Sequence, residues 1–387
     1  MMSGTYWSTE TLLFYILLAL IGMVCMSQIK SYPKNKSLLY CPQAIIWWVI
    51  WVFFAVFRVV KPGIGGADAI DYIDYYVHCN DSSLVDIVQI HNDSDLLFKW
   101  INKFFRFITP DYHLFFFFVY GLMIAVYIAF LHKFSSKKYS VVPYILVFYL
   151  YLRSYSSIRS NLAASLILIG LISLIREKKF TPYFYFVCSV LIHKMAFVYA
   201  LVIPFCQFYK GRTIKFKYIL VFLALGGAVA FVLRPYFVAF AQIVDLGGAY
   251  KSYVEGAMDN GSFAFINDLG QMALAIFMWL NQNRILREIA EDNTNKLLWN
   301  ICALDIAFVP VNQLLGIYRG YEFFYLARLC MWSLLIYVIL RKQHKSIRVI
   351  GSLLAFTVFL AWMIFRISRT YEDTSLMPYL FDFDFFV

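Results

Sequence analysis

The chain predicts an all-α polytopic membrane protein of about twelve transmembrane helices, and three observations predict it. Of its 387 residues 62% are hydrophobic and 15% charged, with a mean hydropathy of +0.68, well outside the range of soluble domains. The apolar runs are rich in Leu, Ile, Phe and Ala and lack period-2 alternation, which excludes an outer-membrane barrel. Lys and Arg gather in short clusters between those runs, as they do in loops retained in the cytoplasm.

The elements follow in order. MMSGTYWSTE carries no basic n-region and no small-residue cleavage pattern follows, so residues 11–29 are expected as a retained span rather than a signal peptide. Read against a span of about 17–25 residues, further helices are expected at 42–60, 113–131, 141–152, 160–175, 180–192, 195–209, 218–234, 268–281, 297–318, 322–340 and 349–365. The connections SQIKSYPKNKS, HKFSSKKYS, REKK, YKGRTIKFK, NRILREIAEDNTNK and RKQHKSIR hold about 20 of the 34 Lys and Arg and about 4 acidic residues. They are assigned to the cytoplasm and both termini to the outside. The net charge of +11 is therefore a topology signal and not one for nucleic acid. Seven scattered cysteines, with no CxxC and no His at ligand spacing, give no disulfide framework and no metal site.

The whole chain, 1–387, is read as one integral membrane domain with two long external loops. The first, 61–112, opens KPGIGGADAIDYIDYY and ends DLLFKWINKFFRFI. In the latter Asp95, Lys99, Asn102, Lys103 and Arg106 share one helical face opposite Leu, Phe and Trp, the pattern of an interfacial helix on the outer leaflet. A passive anchor is the bland reading of it. The second, 235–267, contains VDLGGAYKSYVEGAMDNGSFAF and is read as a flap or a plain connector.

Ionisable residues gather at the outer ends: Arg58 with Asp68 and Asp71, Arg153 with Arg159, His193 with Lys194, and Arg319 with Glu322 and Arg328. The segment 141–152 spans only about 18 Å at 1.5 Å per residue, against a hydrocarbon core of about 30 Å. The run 180–208 lies between two basic connections and must cross twice in about 30 residues. His193 and Lys194 then sit at the apex of a shallow hairpin, and a cationic vestibule opens below the outer surface. It suits a lipid-anchored diphosphate, because Arg grips phosphate oxygens bidentately. Arginines snorkelling to ordinary headgroups are the alternative. His193 alone reads equally as a hydrogen-bonded structural residue, and Asp305 inside a span as a buried, satisfied carboxylate rather than a proton relay.

These residues resemble a known family. FRVVKPGIGGADAIDYIDYY is similar to the Arg, Gly-x-Asp, Tyr signature after the second span of EpsG-like polysaccharide polymerases, relatives of the Wzy O-antigen polymerases. SIRSNLAASLILIGLISLIREKKFTPYFYFVCSVLIHKMAFVYALVIP resembles their Arg-x-x-Leu-Ala helix with a His-containing span about 30 residues later, and LARLCMWSLLIYVIL more loosely their late Arg-containing helix. Ala67 within the first motif and Lys194 after the histidine depart from the pattern. The resemblance implies a GT-C-like glycosyltransferase of the bacterial cytoplasmic membrane that needs no cofactor or metal. It takes a glycan from undecaprenyl diphosphate and transfers it to a second lipid-linked repeat unit on the external face. Its partners would be that donor and acceptor, membrane lipids and a chain-length regulator, with no nucleic acid. Arg153, Arg159 and Arg328, with Arg58 and Arg319, are the expected diphosphate ligands, since cationic groups stabilise the departing charge. His193 or Asp68 would take the acceptor proton, with Asp71, Tyr72, Lys194 and Glu322 around the acceptor; Asp68 as an ion-pair partner of Arg58 is the structural alternative. An O-antigen ligase or a lipid-linked oligosaccharide flippase would handle the same donor. The outer-end placement of the charges favours one-sided chemistry over transport.

Overall fold

The computed structural model describes residues 6–79, 96–243, 261–315 and 322–382, and these residues are helical, with isolated bridges in place of sheets. Four helices are long and apolar enough to cross a membrane: Thr9–Ile29 (α1), Tyr112–Phe134 (α5), Ile158–Ile175 (α7) and Lys345–Thr374 (α15). Shorter apolar helices accompany them, among them Pro42–Val56 (α2), Thr181–Ile192 (α8) and Tyr325–Leu340 (α14). The chain is a membrane protein. The all-α expectation is met among the described residues, where those four helices have the length and apolar composition to cross.

Local chemistry sets the boundaries. Ser8 caps α1 by accepting the amide of Thr11 at 3.0 Å. Pro42 opens α2 and Pro182 the first turn of α8, positions where a missing N–H costs nothing. α1 and α2 approach closely because Gly22 lies beneath Trp47 and Trp51, with the Trp51 indole donating to Leu18 O at 3.3 Å. On the other side of α2 the Trp48 indole donates to Gly121 O of α5 at 2.7 Å.

The basic connectors that charge alternation assigns to one side do touch. Lys30 and Lys34, after α1, donate to Tyr139 O and Ser135 O after α5, at 2.6 and 2.5 Å. Lys210 pairs with Glu177 at 3.2 Å, and Arg341 pairs with Glu288.

At the opposite end the chain breaks where the sequence predicts a sunken turn, but the break is smaller than expected. Residues 142–146 form a 3₁₀ turn, α6 runs over Val147–Ser156, and Ser157 alone interrupts the chain before α7. Arg153 and Arg159 are therefore helical, in the last turn of α6 and the first of α7. The shallow hairpin is present: α8 covers about 18 Å at 1.5 Å per residue and returns through Ala196–Ala200 (α9) and Val202–Phe208 (α10). Phe216–Ile243 (α11), Gly261–Glu288 (α12) and Asn293–Leu315 (α13) complete the second half with α14 and α15. The expected flap narrows, since its flanks are helical to Ile243 and from Gly261; residues 244–260 lie outside the described residues.

The first long loop, 61–112, contains Ala69–His78 (α3) and Leu96–Ile108 (α4), with 80–95 outside the described residues. A C-terminal strap, unforeseen in the sequence, pins that loop. After a left-handed Ser375, residues 375–382 run back across it. Gly66 and Ala67 amides donate to Ser375 O and Thr374 O at 3.1 and 3.0 Å, Val59 donates to Leu380 O at 2.9 Å, and Asp382 donates to Phe57 O at 2.8 Å. Gly66 has φ +116°, and a Cβ there would lie 2.3 Å from Tyr155 O of α6. Gly66→Ala should therefore lower the melting temperature in detergent by several degrees or abolish folded yield. Gly270→Ala, where nothing lies within 4 Å, should leave it unchanged; equal behaviour of the two variants would contradict the docked-loop geometry.

Candidate functional site

Glu322, just before α14, is fully buried and organises the α6–α7 break. Ser160 Oγ donates to its Oε2 at 2.9 Å, Asn161 Nδ2 to Oε2 at 3.2 Å and Ser157 Oγ to Oε1 at 3.2 Å. Arg153 meets Oε1 through Nη2 at 3.4 Å. The spacing i, i+3, i+4 puts Ser157, Ser160 and Asn161 on one face at the positive end of α7, where a carboxylate is favoured. Tyr127 of α5 extends the network by donating to Asn161 Oδ1 at 3.1 Å. Ser157 Oγ lies 2.8 Å from Arg153 O, near the end of α6.

Arg159 leaves α7 on another face. Its guanidinium carbon lies 5.9 Å from the ring centre of Tyr72 in α3. The Gly65–Asp68 loop that launches α3 docks on the same break, with the Ala67 amide 3.2 Å from Ser156 Oγ. The structure thus brings together Arg153, Arg159, Tyr72, Glu322 and the loop bearing Asp68, from three distant stretches of sequence.

His193 ends α8 in an extended conformation, half-buried beside exposed Lys194. α7 and α8 pack as an antiparallel pair. Counting from their connection at about 1.5 Å per residue puts His193 about one turn deeper than Arg159. Asp71 is exposed on α3. Desolvation raises its carboxyl above the ordinary value, and the charges of Asp68 and Asp74 push it the same way.

Two expected ligands, Arg58 and Arg328, are held by protein groups. Arg58 is fully buried: Nε donates to Gly65 O at 2.7 Å, Nη2 to Tyr120 Oη at 2.8 Å and Nη1 to Ala55 O. Its plane lies among the rings of Phe116, Tyr120 and Tyr155, at 5.1, 5.0 and 4.1 Å. It braces the glycine loop, with all three of these hydrogen bonds made to protein groups. Arg328 forms a bidentate pair with Asp305, Nε to Oδ2 at 2.5 Å and Nη2 to Oδ1 at 3.0 Å, and Gln271 donates to the same carboxylate at 2.8 Å. Asp305 is thus a satisfied buried carboxylate joining α12, α13 and α14, and Arg328 is its bidentate partner. Arg319 and Asp95 lie outside the described residues. Among the described residues no group of three or more His, Cys, Asp or Glu is placed to hold a metal.

Sequence reasoning missed the Ser157, Ser160 and Asn161 cage, although its helical spacing was visible, and Gln271, which carried no signal.

Apolar helices around two arginines, a buried carboxylate cage and a histidine-tipped hairpin define a membrane protein with a polar site at one end of its helices. The family model that matches, described as the EpsG family, spans residues 43–381. The chain belongs to the EpsG family, and this membership supports a role of the polysaccharide-polymerase type. No curated protein and no solved structure matches the chain.

The raised Asp71 carboxyl has a definite sign. Its ionised form is disfavoured in the fold, so the fold is favoured below the ordinary carboxylate value, about 3.9, and loses that advantage as pH rises through the folded value. Asp71→Asn should melt higher than the parent at pH 7.5, with the difference vanishing near pH 4. A difference that persists unchanged at pH 4 would contradict this assignment.

Proposed function

We propose that the protein is a GT-C-like glycosyltransferase that joins undecaprenyl-diphosphate-linked repeat units on the external face of the cytoplasmic membrane. The observation that carries the reading is the α6–α7 break, where two guanidinium groups, Arg153 and Arg159, flank a helix N-terminus and one of them is oriented by a buried carboxylate. Such an arrangement suits a diphosphate, since planar forks and a helix end both favour phosphate oxygens. The basic connectors at the far end support an outward-facing break.

In this reading the acceptor hydroxyl attacks the anomeric carbon of the donor sugar. The bond from that carbon to the diphosphate oxygen breaks, and the negative charge leaves with the lipid diphosphate, stabilised by Arg159 and Arg153. Arg319 is a further candidate ligand, while Arg58 and Arg328 serve as braces. The hydroxyl proton passes to His193 or Asp68. Glu322 holds Arg153, and Asp71, Tyr72 and Lys194 border the acceptor. A chain-length regulator fits as a partner.

Arg159→Lys keeps the charge and loses the fork. It should lower polymer formation by about 100-fold or more while the protein stays inserted and folded, as read from surface polysaccharide on a gel; full activity would remove the bidentate argument. Deleting the gene should leave single repeats on the carrier or core. Loss of all capped lipid would instead indicate a ligase or flippase, and normal ladders would exclude all three.

A further inference from the structure

The helix α4 is turned the opposite way from a passive anchor. A helix lying on a bilayer at the edge of a protein normally offers its polar stripe to water. Here the centre of that stripe is inside the protein: Lys99 is 5% exposed and Asn102 is 0% exposed, while Trp100, Phe104 and Phe107 are 50%, 60% and 85% exposed. The helix packs against α3, α5 and α8, the last of which ends at His193.

Its inner face reaches the break through two ring contacts. Phe98 lies 5.6 Å from Tyr72 in an edge-on arrangement, and Tyr72 lies beneath the Arg159 guanidinium at 5.9 Å. Asn102 follows Phe98 by four residues and so shares its face. Asn102 Nδ2 donates to Phe98 O at 2.8 Å. Its Oδ1, equally buried, has no hydrogen-bond partner among the described residues, and a buried carbonyl oxygen left in that condition is costly. An acceptor oxygen without a partner among the described residues, a buried lysine beside it and aromatic rings within one turn form a group that suits a carbohydrate. Sugar hydroxyls donate to carbonyl oxygens and accept from ammonium groups, and pyranose faces lie against aromatic rings.

We propose that α4 is a wall of the site rather than an anchor, and that Asn102, with Lys99 and the Phe98–Tyr72 rings, binds hydroxyl groups of the acceptor glycan. This rests on the glycosyltransferase reading for its substrate class, yet it concerns binding and not the transfer step. Asn102 is a binding residue: it holds the acceptor glycan and leaves the reacting groups to the arginine site.

The test uses the full-length protein in detergent or nanodiscs and two probes from cells lacking the gene: lipid-linked repeat units, and the oligosaccharide released from them by mild acid. Asn102→Ala should weaken binding of the free oligosaccharide at least tenfold and raise the acceptor KM by a similar factor, with kcat at saturating acceptor within about twofold. Asn102→Gln, which keeps an amide, should recover part of the affinity, and unchanged melting of both variants excludes a folding defect. Parent-like binding and KM in folded Asn102→Ala would overturn the inference, as would a parent that makes polymer but binds no free oligosaccharide. A parent that binds the oligosaccharide and makes no polymer, with binding lost in Asn102→Ala, would uphold this wall and defeat the polymerase reading.

Discussion

A carboxylate at the amino end of a helix is the interaction on which the rest of this site depends. Glu322 accepts hydrogen bonds from Ser157, Ser160 and Asn161 and meets Arg153. A charge buried in a helical membrane protein is tolerated when it is paired and fully hydrogen-bonded. The donors it needs sit on one face of α7, so satisfying Glu322 fixes the rotation of that helix. Arg159, one position before Ser160, is thereby turned towards α3 and Tyr72. Removing this interaction would free both the α6–α7 break and the start of α14.

Other braces work on the same scale. Arg58 ties the glycine loop to α2 and α5, the strap crosses over that loop, and the Asp305–Arg328–Gln271 cluster joins three helices of the second half. Hydrophobic burial does not distinguish helix from lipid inside a bilayer, so polar contacts and close packing carry much of the specificity there. Several ionisable residues that, read from composition alone, resemble ligands are engaged by protein groups in the fold.

What was legible in the sequence follows from the physics of each signal. The apolar runs, the clustering of basic connectors and the shortness of the α8 hairpin could be read because they depend on length and charge along the chain. Arg153, Arg159 and His193 at one end follow from the same count. The contacts of Arg58 and Arg328 could not be read. Their partners are the carbonyl oxygens of Gly65 and Ala55, the Tyr120 hydroxyl and a carboxylate 23 residues away, all set by tertiary packing. The orientation of α4 was hidden for another reason: periodicity shows that a helix has two faces, but where lipid is itself an apolar partner it does not say which face meets the protein.

The most direct measurement of the central claim is a double-mutant cycle between Glu322→Gln and Ser160→Ala, read from unfolding in detergent micelles. The account predicts that the two changes are coupled by about 0.5–3 kcal/mol, as for residues sharing one network. Additivity within about 0.3–0.5 kcal/mol would mean that the carboxylate does not hold the amino end of α7, and the arrangement of the arginines would lose its cause.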